Sequence, residues 1–297
     1  MLDFRLMVFQ SVARNLSFTK AANELFITQP AISKHIKELE SEFGVKLFDR
    51  VGNKIHLTKA GDTLLSYAAP ILSLHQEVKF KLSLLSGDLE GNLRIGASTT
   101  IAQYVIPPVL AKFHERHPDI RLSLLNGNTE YIEKQLLNNE IDLGIVEGEP
   151  TNSDIQYAPF LNDELIVFTS SQNRIITNPV SHEEFIKLPL VLRERGSGTL
   201  EIIEKRLKLH QISPKQLNVL LFLGSTEAIK SYVKTGSGVG IVSKFAIEQE
   251  LSNNIFRQLI IPELKFDRQF YFISPKGPEP LGLSKIFLNF VKKQYNH

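Results

Sequence analysis

Phe18-Thr-Lys-Ala-Ala-Asn-Glu-Leu-Phe-Ile-Thr-Gln-Pro-Ala-Ile-Ser-Lys-His-Ile-Lys-Glu-Leu-Glu40 holds two short helices joined by a tight turn. Ser17 is a good N-cap for the first of them, and the small Ala21 and Ala22 let a neighbouring helix approach closely. Thr28 caps the next helix, with Gln29 and Pro30 in its first turn, where a missing N–H costs nothing. That helix is expected to stop at Gly44, a C-terminal signal. Ile32, Ile36, Leu39 and Phe43 recur at helical spacing and form one apolar stripe. Gln29, Pro30, Ser33, Lys34 and Lys37 project on the other side, in the N-terminal half.

Before this stretch, Phe4, Met7 or Val8, Phe9 and Val12 mark an amphipathic helix that ends near Asn15. After Gly44, two short apolar runs around a Gly-Asn turn read as a hairpin, with Arg50, Lys54 and His56 placed to touch a sugar-phosphate backbone. Donor-rich side chains at the N-terminal end of the second of two tightly joined helices suit a major groove. The alternative, read from charges alone, is an exposed helix with lysines on its solvated side. From Thr58 to Leu85 the pattern is helical, and Leu64, Ile71, Val78 and Leu85 are spaced by seven. Such a seam needs a partner helix, so dimerisation through 59–87 is expected, with a kink near Ser66 because Pro70 removes one bond.

Three strings occur in order: the one quoted above, then Gly44-Val-Lys-Leu-Phe-Asp-Arg50, then Leu57-Thr-Lys-Ala-Gly61. Together they resemble the winged helix-turn-helix of the LysR-type bacterial transcriptional regulators. The resemblance is specific over residues 1 to 65 and extends over the rest in architecture, with weaker sequence likeness after residue 90. It implies that Gln29, Pro30, Ser33 and Lys34 meet base edges or nearby phosphates of an operator duplex, supported by Thr28 and Lys37. It implies a long helix that pairs subunits, often as a dimer of dimers, and an effector domain like a periplasmic solute-binding protein. Lys34 stands where many relatives carry Arg, and this departure removes the planar fork with which Arg meets guanine bidentately.

The composition sets the class. The chain has 297 residues, enough for two domains, and 42% of them are hydrophobic and 22% charged, as in ordinary globular proteins. Thirty-four basic against 32 acidic residues leave a net charge of only +2, so any DNA binding must be local. Within 28–59, Lys34, Lys37, Lys46, Arg50, Lys54 and Lys59 face Glu38, Glu40, Glu42 and Asp49, a surplus of two. Cysteine is absent, which excludes disulfides, thiolate metal sites and a Cys nucleophile. Asp3 and Arg5 interrupt what a signal peptide would need, and no apolar window reaches the ~20 residues of a membrane span. A soluble, cytoplasmic protein is expected.

After Gly91, β-type runs at 93–97, 120–125, 142–146, 165–169, 217–223, 239–243 and 269–274 alternate with helical patterns. This predicts an α/β effector domain over 91–297, with lobe I near 91–163 and 270–297 and lobe II near 164–269. A ligand between the lobes would lie at the carboxyl ends of strands. Three strand-to-helix turns carry suitable chemistry for a small anion: Ser98, Thr99 and Thr100; Arg195, Ser197, Gly198 and Thr199, in a turn that also contains Arg193; and Thr226. Each also has an ordinary explanation as an N-cap. Gly236-Ser-Gly-Val-Gly240 follows a helix and leads into a strand, the reverse of a dinucleotide fingerprint. His114 and His117 read as a solvated helix face, and no cofactor or metal is expected.

The expected fold is therefore an all-α winged helix-turn-helix at 1–58, a dimerisation helix at 59–87, and a two-lobed periplasmic-binding-protein-like α/β domain. The expected function is sequence-specific DNA binding modulated by a small anionic effector, in a homodimer or homotetramer, with no catalytic role. The other reading is a cytoplasmic small-molecule-binding or enzymatic α/β protein with a helical oligomerisation module. Steep salt dependence of duplex binding separates the two.

Overall fold

A computed structural model describes residues 2–51, 54–86, 90–262, 264–277 and 279–295. The chain divides into two compact units, Met1–Asp88 and Leu89–His297.

The first unit contains α1 (Leu2–Asn15), α2 (Phe18–Glu24), α3 (Gln29–Phe43), the hairpin β1 (Phe48–Val51) and β2 (Lys54–Leu57), and α4 (Lys59–Ser86). Ser17 caps α2 by accepting from the Lys20 N–H at 3.3 Å, and Thr28 caps α3 by accepting from Ala31. Gly44 ends α3 at φ +68°, a conformation that glycine adopts without a Cβ clash. Ala21, Ala22, Ile32, Ile36 and Leu39 are buried together with Leu6, Phe9 and Val12 of α1. Phe43, expected in the same stripe, is 47% exposed at the last residue of α3.

Glu40 turns toward the hairpin and accepts from the Leu47 N–H at 2.8 Å, which ties α3 to the wing. Thr58 caps α4 by accepting from the Gly61 N–H at 3.0 Å. Gly61 is required there because any Cβ would strike the Leu47 carbonyl. α4 continues through Pro70, although the Ser66 carbonyl loses its usual i+4 donor.

The second unit runs β3 (Gly91–Ser98), a π-helical turn (Ile101–Val105), α5 (Pro107–Arg116), β4 (Ile120–Gly127), α6 (Thr129–Leu137), β5 (Leu143–Glu147), β6 (Ile155–Ser170), α7 (His182–Phe185), β7 (Leu190–Arg193), α8 (Gly198–Leu209), a 3-10 turn (Pro214–Gln216), β8 (Val219–Leu223), α9 (Thr226–Lys234), β9 (Val239–Ser243), α10 (Lys244–Ser252), β10 (Phe256–Gln258), β11 (Phe266–Pro275) and α11 (Gly282–Tyr295). Its described strands form one sheet in the order β4-β3-β5-β11-β6-β9-β7-β8, with β10 on β6. β3, β4 and β5 are parallel, as are β7, β8 and β9. The long strands β6 and β11 run antiparallel to each other and join the two parallel halves.

Two lobes result, each with apolar layers on both faces of its sheet. In the first, Leu93, Ile95 and Ala97 pack with Phe113 and Phe287 on one side, and Ile132, Val146 and Ile273 pack on the other. In the second, Leu165 and Val167 face the layer of Phe185, Ile203 and Ile241, while Ile166 and Phe168 face Ile229 and Val233. This is the two-residue alternation of a strand covered on both sides.

Candidate effector cleft and DNA-reading face

The N-terminal ends of the helices that follow β3, β7 and β8 all meet where the lobes face each other. Ser98, Thr99, Thr100, Ser197, Thr199 and Thr226 are all buried there. Ser197 also caps α8, its hydroxyl accepting from the Thr199 N–H at 3.2 Å. The turn at Ile101–Val105 is π-helical, a rare geometry that is frequent at functional sites.

Five charged residues, Arg268, Arg193, Glu147, Asp163 and Glu194, anchor this polar centre. Arg268 donates from Nε to Asp163 at 2.6 Å and from its terminal nitrogens to Thr199 at 2.8 Å and Thr100 at 3.4 Å. Arg193 donates to Thr226 at 3.3 Å and to Thr99 at 3.2 Å, and it pairs with Glu194 at 2.8 Å. Glu147, at the end of β5, accepts from the Ser98 and Thr100 hydroxyls. Asp163 also accepts from Ser243 at 2.9 Å. Burial lifts the Glu147 carboxyl above the usual carboxylate range, although Arg268 and Arg193 pull it down. Burial also tends to raise Glu194, but the hydrogen bond and charge of Arg193 hold it low.

Bonds between the lobes keep them together. Besides Arg193 to Thr99, the Tyr104 hydroxyl donates to Glu227, Asn128 donates to Glu194 at 3.2 Å, and Lys205 pairs with Glu149 at 2.7 Å.

Arg195 lies at the rim of this centre and Arg193 inside it. Arg195 is exposed and lines an open groove of about 420 Å³ with Ser197, Glu130, Glu133, Glu201 and Glu204. Arg193 takes the inward place because it is the last residue of β7, whose side chains are all buried, whereas Arg195 lies in the turn beyond the strand. The sequence pattern does not single out Arg268, Glu147 or Asp163. The one available signal is a charge inside or at the end of each apolar strand.

In the first unit, Thr28, Gln29, Pro30, Lys34 and Lys37 are exposed and Ser33 is half-buried. Gln29, Pro30, Ser33, Lys34 and Lys37 line one face of α3 together with Glu38 and Ser41. The Gln29 amide donates to Ser33 at 3.0 Å, and the Lys34 side chain is 75% exposed. Lys54 is exposed on β2, while the Arg50 side chain and the turn residues 52 and 53 lie outside the described residues.

On α4, Ile71 and Val78 are exposed together with Tyr67, Leu74 and Leu82. Leu64, expected on the same seam, packs instead against the core of its own unit, because that part of α4 lies on α1. The Leu85 side chain lies outside the described residues.

A family model described as the bacterial regulatory helix-turn-helix protein, lysR family, matches residues 4–62, and one described as the LysR substrate binding domain matches residues 86–296. The chain belongs to the LysR family of bacterial transcriptional regulators.

The regulator is 34% identical over 285 residues to the HTH-type transcriptional activator CmpR of Synechocystis, an alignment covering 96% of this chain and 92% of that one. It is 35% identical over 276 residues to a probable RuBisCO transcriptional regulator of Thalassiosira pseudonana, covering 91% and 90%. Among solved structures, the Synechocystis CcmR regulatory domain in complex with 2-PG matches at TM-score 0.62 and 29% identity, over 69% of this chain and 97% of that one. A full-length OxyR variant of Pseudomonas aeruginosa shares the fold over 99% of this chain and 94% of its own, at TM-score 0.73 and 19% identity. The regulator is thus a DNA-binding transcription factor with a small-molecule effector domain, and its family is not one of enzymes. No described helix is long and apolar enough to cross a membrane.

Proposed function

We propose that the regulator works in the cytoplasm as a ligand-responsive switch on operator DNA. Residues 1–58 read DNA through Thr28, Gln29, Pro30, Ser33, Lys34 and Lys37, with Arg50 and Lys54 on the backbone. Residues 59–87 pair subunits into a homodimer or homotetramer. Residues 91–297 bind a small anion between the lobes through Ser98, Thr99, Thr100, Ser197, Gly198, Thr199 and Thr226, with Arg193 and Arg268 as the cations. The observation that carries this reading is the convergence of hydroxyls from both lobes on two fully buried guanidinium groups.

Oriented hydroxyls, helix N-termini and paired arginines are the donor set an oxyanion needs. The effector enters only when the lobes part, so it must bind one arrangement better than the other to shift the population on DNA. CcmR is in complex with 2-PG, which makes 2-PG the first probe to try.

The test is footprinting on the regulator's own upstream region, with and without 2-PG and other small anions. Wild type protects a discrete site and an effective anion alters the footprint, while changing Ser33 and Lys34 to Ala removes protection but leaves anion binding intact. Unchanged protection in that variant, or anion binding that survives Thr199→Val unaltered, would sink the assignment.

A further inference from the structure

Glu147 already takes two of the hydroxyls that the proposed anion would use. Its carboxylate accepts from the hydroxyls of Ser98 and Thr100 and lies 3.5 Å from Arg268, and its side chain is 2% exposed. The neighbouring cations are already matched. Arg268 is paired with Asp163 at 2.6 Å, and Arg193 with Glu194 at 2.8 Å. Among the described residues of the centre, two guanidinium groups therefore meet three carboxylates.

The elements packed around Glu147 bring Ser98 from β3, Thr100 beside it, Asp163 from β6, Arg193 from β7 and Arg268 from β11. The Thr129 hydroxyl of α6 donates to its carbonyl at 2.7 Å, and the backbone of Gly198 on α8 lies against that carbonyl. A bound anion would be a fourth negative group in a dry pocket, where like charges repel strongly.

Resting on the effector reading, we propose that Glu147 enters the complex as a neutral carboxylic acid that donates its proton in a hydrogen bond to an oxygen of the effector. The ligand class is then a small oxyanion, and binding takes up as much of one proton as Glu147 did not already hold. Ser98 and Thr100, whose hydroxyls rotate freely, are released from the ionised carboxylate and turn to the ligand. Burial already favours the neutral form in the unliganded protein, so part of the protonation is in place before binding.

The experiment is calorimetric titration of the full-length protein with sodium sulfate and with sodium glycolate, whose charges stay constant between about pH 6 and about pH 9. It is run in two buffers of different ionisation enthalpy, for wild type and Glu147→Gln. Gln keeps the shape and one donor of the neutral acid. In wild type, affinity is expected to weaken toward high pH by up to about tenfold per pH unit, with uptake of up to one proton. Glu147→Gln is expected to hold the low-pH affinity throughout.

Binding without proton uptake in wild type, or the same pH profile in both proteins, overturns the role of Glu147 and leaves the anion cleft standing. So does weaker binding by Glu147→Gln at every pH. No binding of either anion to either protein overturns both. The proton count in wild type needs no variant, so a misfolded Gln protein does not remove the test.

Discussion

Arg268 Nε stands 2.6 Å from Asp163 Oδ2, and neither side chain has any exposed surface. The two residues are direct partners across the antiparallel strands β6 and β11, where the chain passes between lobes. One ion pair therefore closes the joint of the effector domain, and the same guanidinium reaches Thr199 and Thr100 on either side of the cleft.

Truncating one member of such a pair leaves a buried charge alone. Asp163→Ala is expected to cost about 3–5 kcal/mol in urea unfolding, whereas replacing Asp163 and Arg268 together by apolar residues of similar volume costs far less. Equal losses in the single and double variants would mean that the pair is not the source of the penalty.

Glu147 links stability to pH. Its folded carboxyl titrates above the ordinary value, so the native state holds a proton that the unfolded chain has already released. Stability then falls as pH rises from the ordinary carboxylate value to the raised one, and is level beyond it. Glu147→Gln lacks this loss. Its melting temperature relative to wild type should climb across that window and then stay constant. A flat difference from acid to neutral pH would show that the native carboxyl is not raised.

Lys34 is mostly exposed on the reading face and 4.0 Å from Glu38. If it touches a phosphate, Lys34→Ala weakens all duplexes alike and lowers the slope of log affinity against log salt by about one. If it reads a base, discrimination at one position is lost and the slope barely moves. Band shifts on operator and random duplex at several salt concentrations tell the two apart.

The exposed row on α4 and the inward Leu64 behave as opposites. Ile71→Glu with Val78→Glu should shift the protein toward monomer in sedimentation while leaving the helix-turn-helix folded. Leu64→Ala should keep the assembly and destabilise the first unit by about 1–2 kcal/mol, as partial loss of apolar contact does. An unchanged sedimentation profile in the glutamate variant would move the pairing surface elsewhere.

The amino-acid order alone determined what depends on neighbours in sequence. The caps at Ser17 and Thr28, the stop at Gly44, the stripe of Ile32, Ile36 and Leu39, and the alternation of strands and helices after Gly91 all follow from local geometry, and the structure shows each. Local pattern fails where a polar residue inside a strand breaks the apolar run. The first half of β6 is hidden because Asn162-Asp163-Glu164 looks like a turn, yet Asp163 is buried by Arg268, a hundred residues away. The choice between Arg193 and Arg195 is likewise not local, since a two-residue step decides whether a side chain ends on a buried strand or in the turn beyond it. Leu64 keeps its heptad spacing but packs against the core of its own unit. Sequence limits which residues can donate, cap or pack. Only the folded sheet, which brings β3, β5, β6, β7 and β11 to one point, decides which charges must share a dry space and therefore which of them must find partners.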